Sequence, residues 1–278
     1  MTISGKTTLI AHIGYPTEAF KAPLIYNPWF EKRGIDAVVV PMGVKVEDYP
    51  AAVMALFKLT NIRGALITMP HKVVTGRLVN EITRAVEVAG ACNAILKRPD
   101  GTLVGNMFDG AGFTRGLVHK GFSCKGAKCL IVGCGGVGSA IAASLAEEGA
   151  RSVALFDLDA EAMTQLATRL RRYYPGTAIV EGSRDPAGYD LAVNCTPLGM
   201  KAGDPLPMDA TRLAPSTFVG EVVMSMEITP LLAAARERGC RIQVGIDMLF
   251  EMIPAYLEFF GFGAATADEL RAVAKITY

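Results

Sequence analysis

The segment from Lys128 to Asp159 constrains this chain more than any other. It reads as strand, glycine turn, helix and strand. Cys129 to Val132 is a short apolar run, the pattern of a strand buried on both faces. Gly133, Gly135 and Gly138 follow in G-x-G-x-x-G spacing. The first glycine allows the tight turn, the second lets the backbone approach a pyrophosphate, and the third lets the helix pack close to the strand. Gly136 and Val137 lead into a helix running to about Glu148, whose N-terminal N–H groups would face the phosphates. Gly149 stops it, and Val153 to Phe156 form the next strand. Asp157, followed by Leu158, stands where an acid accepts from the ribose hydroxyls of an adenosine. A dinucleotide site is therefore expected, although a Rossmann-like domain that binds nothing, or binds another adenosine cofactor, would carry the same glycines. Asp157, Asp159 and Glu161 would repel a 2′-phosphate and no base stands beside them, so NAD is expected in preference to NADP.

A chain of 278 residues accommodates one large domain or two modest ones. At 51% hydrophobic and 20% charged residues it can bury a substantial core, and a net charge of +1 argues against nucleic-acid and membrane partners. No apolar run is long enough to span a bilayer, and the first residues do not read as a signal peptide. Cys92, Cys124, Cys129, Cys134, Cys195 and Cys240 form neither C-x-x-C nor a zinc spacing. They are expected to be reduced thiols in a cytoplasmic protein without a metal.

The first hundred residues alternate strand and helix. Strands are expected at Thr8 to Ile13, at Ala37 to Val40 (closed by Pro41) and at Ala65 to Met69. Helices are expected at Pro23 to Arg33, Val46 to Leu59, Lys72 to Val79 and Ile82 to Val88. Cys92 to Leu96 and Leu103 to Asn106 flank an Asp-Gly pair and read as a hairpin. Asp109 to Val118 is the linking helix. Beyond it, six strands are expected, the number in a full doubly wound sheet. Helices at Ile246 to Phe260 and Ala267 to Ala274 close the chain and need another surface to cover. The expected fold is α/β with two domains. Residues 1–108, completed by 246–278, form a small mixed-sheet substrate domain, and residues 109–245 form a Rossmann-type dinucleotide domain.

Oxidising an alcohol with a nicotinamide needs a group that takes the hydroxyl proton as hydride leaves the same carbon. Lys72, in Thr68-Met69-Pro70-His71-Lys72, follows a buried-looking strand and a stiff proline turn. A lysine held by such a loop can do this once a desolvated site lowers its pKa. It can equally be a surface lysine in the first turn of a helix, where the dipole prefers anions. Asp109 is a second candidate and also a plausible helix cap. Thr68 and Asn93, polar at the ends of apolar strands, suit substrate hydroxyls or local turn bonds. His12, His71 and His119 lack partners at ligand spacing and read as structural or solvated.

Together these motifs resemble the shikimate dehydrogenase family, which includes quinate/shikimate dehydrogenases of aromatic amino acid biosynthesis. The likeness runs through Gly14-Tyr15-Pro16, Thr68-Met69-Pro70-His71-Lys72, Gly90-Ala91-Cys92-Asn93-Ala94, Asp109-Gly110-Ala111-Gly112-Phe113, the Gly133–Gly138 loop, Asn194-Cys195-Thr196-Pro197-Leu198-Gly199-Met200, Thr229-Pro230-Leu231-Leu232 and Gly245-Ile246-Asp247-Met248-Leu249. The resemblance implies Lys72 as acid/base, with Asp109 orienting it and touching the substrate hydroxyl. It implies Thr68 and Asn93 on ring hydroxyls, and Thr196, Val223 and Gly245 beside the cofactor. It also implies final helices folded onto the first domain. Asp157-Leu158-Asp159 stands where NADP-using members carry Asn-Arg-Thr.

The departures gather at the substrate side. Phe20 and Ala22 replace two serines that grip a carboxylate, and Lys21 between them is either a substitute carboxylate partner or a solvated loop lysine. Leu66, Met107, Phe108, Met224 and Met252 stand where the family carries polar or tyrosine side chains. The expected activity is reversible hydride transfer between a nicotinamide and a cyclic secondary alcohol, either shikimate or quinate or a less polar relative. The chain would act as a monomer or homodimer. A non-catalytic NAD-binding sensor or partner-binding protein on the same fold is the second reading, and a folate-type dehydrogenase the third.

Overall fold

A computed structural model describes residues 2–276. The chain is α/β and divides into two compact units, each with its own six-stranded sheet. Among the described residues, the first comprises 2–87, 91–108 and 252–276, and the second 88–90 and 109–251.

The first unit starts with β1 (Thr8–Gly14), α1 (Pro23–Arg33), β2 (Ala37–Gly43), α2 (Tyr49–Leu56) and β3 (Ile62–Ile67). It continues through α3 (Lys72–Thr75), β4 (Glu81–Ile82), α4 (Arg84–Ala89), β5 (Ala94–Lys97) and β6 (Leu103–Asn106). The strand order is β2-β1-β3-β5-β6-β4. β1 pairs in parallel with β2 and β3, and β5 pairs antiparallel with β3 and β6, so the sheet is mixed. Alternation along β1 sends Ala11 and Ile13 into one core with Tyr49, Val53 and Phe57. His12 and Gly14 therefore face the other side.

Several boundaries differ from those read in the sequence. β2 runs through Pro41, because it is an edge strand and Pro41 lies opposite His12 on its single neighbour. α2 is shorter than 46–59. The segment 72–79 is helical only to Thr75 and then tightens into turns, with Arg77 and Leu78 donating to the carbonyls of Val74 and Thr75. Ile82 is in a strand, not a helix. Asn80 N–H and Thr83 N–H donate to Leu103 and Gly105, extending the sheet past β6. Ala267–Arg271 ends three residues before the expected position.

The second unit contains α5 (Asp109–His119), β7 (Lys128–Val132), α6 (Gly136–Glu147), β8 (Ser152–Phe156), α7 (Ala160–Tyr173), β9 (Ala178–Glu181), β10 (Leu191–Asn194), β11 (Phe218–Glu221), α8 (Pro230–Glu237) and β12 (Arg241–Gln243). Its order, β12-β11-β10-β7-β8-β9, is parallel throughout and is that of a doubly wound dinucleotide fold. Cys129, Ile131, Val153 and Leu155 pack toward Phe113, Ile141, Leu145, Leu166 and Leu170. Leu130, Val132 and Ala154 pack toward Leu231, Leu232 and Ala235. Both faces are covered, as a parallel sheet requires.

Two last helices follow, α9 (Gly245–Phe260) and α10 (Ala267–Arg271). Residues 252–276 belong to the first unit. There Arg63 Nε donates to Phe260 O at 2.8 Å, Phe262 packs on Phe30 with centroids 4.9 Å apart, and Lys275 N–H donates to Leu24 O at 2.9 Å. All six cysteines are free. Burial pushes up their thiols, to about 12 at Cys92 and Cys134 and about 11 at Cys124. No helix among the described residues is long and apolar enough to cross a membrane, and no cluster of three ligating side chains could hold a metal.

Candidate active site

In the first unit, the residues singled out in the sequence gather at the C-terminal end of β1 and β3. Thr68 N–H donates to Ile13 O at 2.8 Å, and Tyr15 N–H to Met69 O at 3.1 Å, which ties the Gly14 loop to the loop after β3. The peptides before Pro16 and Pro70 are both cis. Gly14 has no room for a side chain, since a Cβ would run into Thr68, the Met69 carbonyl and the Phe20 ring. Thr68, Met69 and Phe20 therefore meet over one glycine. His71, read as structural or solvated, is buried and packed. Its ring stacks on Tyr49 at 3.8 Å and its Nε2 donates to Val44 O at 2.8 Å.

Lys72 begins α3, and its carbonyl accepts from Cys92 N–H at 2.8 Å. The lysine is thereby fixed to the segment that carries Asn93. Asn93 is buried. Its Oδ1 accepts from Phe108 N–H at 3.0 Å and its carbonyl from Ile67 N–H and Tyr256 Oη. No sequence pattern pointed to Tyr256, which arrives from α9, as its partner. Ala22 is buried at the N-terminus of α1, and Lys21 and Met252 are half-buried.

His12, read from the sequence as structural or solvated, lies in this group. Its ring stacks on Phe20 with centroids 4.1 Å apart and is only 8% exposed. Burial first, and the Lys72 charge second, push its pKa down to about 3. Its position at the C-terminal end of a parallel strand, where α/β sheets bind ligands, was the available signal.

In the second unit, Gly133 adopts φ 104° and its N–H donates to Phe156 O at 2.8 Å. A Cβ on Gly138 would collide with the Gly133 carbonyl, whereas one on Gly135 would meet nothing within 4 Å. The turn is thus packed from behind and open in front, a cradle that suits a pyrophosphate at the start of α6, where Gly136 and Val137 lie. At the end of β10, Asn194 Oδ1 accepts from Thr196 N–H and Oγ1 at 3.0 and 2.7 Å, while its Nδ2 donates to Glu221 at 2.9 Å. Glu221 also accepts from Val222 N–H, Val223 N–H and Thr229 Oγ1. Burial outweighs these donors and raises its pKa. Gly245 is required where α9 starts, because a Cβ there would strike the Val223 carbonyl. Asp109, buried at the first turn of α5, lies close enough to Cys195 for its charge to help raise that thiol.

The family model for the shikimate dehydrogenase substrate binding domain matches residues 12–95. A shikimate dehydrogenase (NADP(+)) from Acidiphilium cryptum is 35% identical over 277 residues, covering 99% of this chain and 98% of its own. The chain belongs to the shikimate dehydrogenase family. A second member of the shikimate dehydrogenase family, from Rhodospirillum rubrum and of the same name, is 32% identical over 97% of this chain and 98% of its own. The shikimate 5-dehydrogenase of Listeria monocytogenes, solved with shikimate and NAD, superposes with a TM-score of 0.87 at 26% identity, covering 98% of each chain.

These relatives correct the cofactor reading. The sequence favoured NAD over NADP, but the Acidiphilium and Rhodospirillum proteins, and further relatives at 31% and 33% identity, are all named for NADP(+). The carboxylates that suggested NAD have other work. Asp157 accepts from Cys134 N–H at 2.5 Å and Asp159 N–H at 2.9 Å, and Asp159 caps α7 by accepting from Glu161 and Ala162 N–H. Both acids are accounted for by backbone donors, so their presence says little about the 2′ position. Leu158, beside them, is 93% exposed.

Proposed function

We propose that this chain is an NADP-linked oxidoreductase that interconverts a cyclic secondary alcohol, shikimate or quinate or a less polar relative, with its ketone. Residues 1–108 with 246–278 would bind the alcohol and residues 109–245 the dinucleotide. The observation that carries the reading is the fixing of Lys72, by its own carbonyl, to the Asn93 segment at the end of β3. A general base must be held within hydrogen-bond reach of the proton it takes, and a main-chain tie of this kind anchors the backbone from which the lysine reaches. Lys72 is the acid/base, exchanging a proton with the alcohol oxygen, and Asp109 is its catalytic partner. Thr68 and Asn93 orient ring hydroxyls. Gly133, Gly135, Gly136, Val137 and Gly138 receive the pyrophosphate, and Thr196, Val223 and Gly245 line the nicotinamide side. The nicotinamide, when bound, takes or returns the hydride. Family membership supports the enzyme reading, and nothing among the relatives supports a non-catalytic sensor.

The test is formation of NADPH with shikimate, quinate and a panel of less polar cyclic alcohols, in wild type and Lys72→Ala. Turnover should fall about 10²–10⁴-fold in the variant while NADP⁺ still binds. Unchanged turnover overturns the assignment of Lys72.

A further inference from the structure

His12 carries a nitrogen that packing does not explain. Its Nδ1 is buried without a hydrogen-bond partner. Stacking on Phe20 needs only a flat ring, and a phenylalanine or leucine would fill the space without stranding a polar atom. The ring points to the same face of β1 as Gly14, two residues on, where Phe20, Thr68 and Met69 converge. Lys72 is near enough for its charge to act on the imidazole, which stays neutral. A neutral imidazole is one donor and one acceptor and offers no charge to an anion. Phe20, half-buried, covers it with an aromatic face.

We propose that His12 is a substrate-contacting specificity residue that hydrogen-bonds an uncharged ring oxygen, and that the substrate carries a hydroxyl or carbonyl, not a carboxylate, against the His12–Phe20 pair. This rests on the reading of Lys72 as the acid/base for a cyclic alcohol. The substrate oxygen supplies the partner that the imidazole lacks, and Phe20 packs on the apolar edge of the same ring.

Shikimate and its methyl ester share one ring and differ only at the carboxyl group, where the ester carries a methyl in place of the negative charge. Wild-type kcat/KM should favour the ester by at least about tenfold, because a site built for a neutral group leaves a carboxylate desolvated and unpaired. His12→Phe keeps the stack and removes the nitrogens. It should lower kcat/KM for the ester about three- to tenfold, mainly through KM, and His12→Asn should recover part of the loss. Equal use of both compounds by wild type, preference for shikimate, or an equal effect of His12→Phe on both overturns the proposal. The unmodified protein gives a second readout. It has three histidines, so the ¹⁵N resonances of His12 can be assigned and followed as the ester is added. Turnover without a His12 shift removes His12 and leaves the enzyme reading intact. A shift without turnover keeps the subsite and removes the enzyme reading. Neither shift nor turnover removes both.

Discussion

At the scale of single residues, His12 should leave a mark on acid stability whatever its part in binding. The unfolded chain protonates it near 6.5 and the folded chain only near 3. Between those values the unfolded state holds the extra proton, so the contribution is complete above 6.5 and is lost as pH falls toward 3. In urea unfolding, the stability gap between wild type and His12→Phe should change by about 1.4 kcal/mol per pH unit through that window. Parallel curves would rule it out. Glu221 makes a different prediction. Glu221→Ala leaves the donors of Asn194, Thr229, Val222 and Val223 facing a void, and should cost about 3 kcal/mol of unfolding free energy. Residue types alone pointed to some of this group and passed over the rest. Lys72, Thr68 and Asn93 stood out because polar groups at the ends of apolar strands need a reason. Asp157 misled about NAD against NADP because a carboxylate engaged by backbone N–H groups looks, in sequence, like one set to repel a 2′-phosphate. His12 was passed over because no sequence spacing reveals that Phe20 and Lys72 will surround it.

At the scale of elements, the glycine turn separates folding from binding. Gly138→Ala forces α6 away from the Gly133 carbonyl and should destabilise the second unit strongly. Gly135→Ala meets no protein atom and has an ordinary extended backbone, so its cost should stay within about 1 kcal/mol, the usual loss for alanine at a helix cap. Yet it should weaken NADP⁺ binding by about tenfold or more if the phosphates use that opening, as titration calorimetry would show. Helices with clear punctuation were legible. Pro23 and Gly34 bracket α1 as expected, with Gly34 at φ 64°. Elements without it were not. The 80–83 segment becomes a strand because β6 offers it carbonyls, a partner outside any local window.

At the scale of the whole molecule, the two sheets were legible because their strands differ in pattern. Continuous apolar runs gave the parallel sheet, and an Asp-Gly hairpin gave the antiparallel part of the mixed one. The return of residues 252–276 to the first unit came from the resemblance, since no local pattern tells a helix which surface it will cover. Hydrogen exchange should report the two units separately. NADP⁺ should protect residues 133–139 and 194–200, and an alcohol substrate should protect the loops after β1 and β3, with β2 unchanged by either. Protection spread evenly over the chain would contradict that division. The buried thiols carry a practical consequence. With pKa values near 11 to 12, fewer than about one in a thousand of the thiols at Cys92, Cys124 and Cys134 is ionised at neutral pH, and it is the thiolate that attacks an alkylating reagent. A cysteine engineered onto the surface should therefore react far ahead of the native ones. The protein can carry a single fluorophore or spin label at a chosen position without first being stripped of its own sulfur.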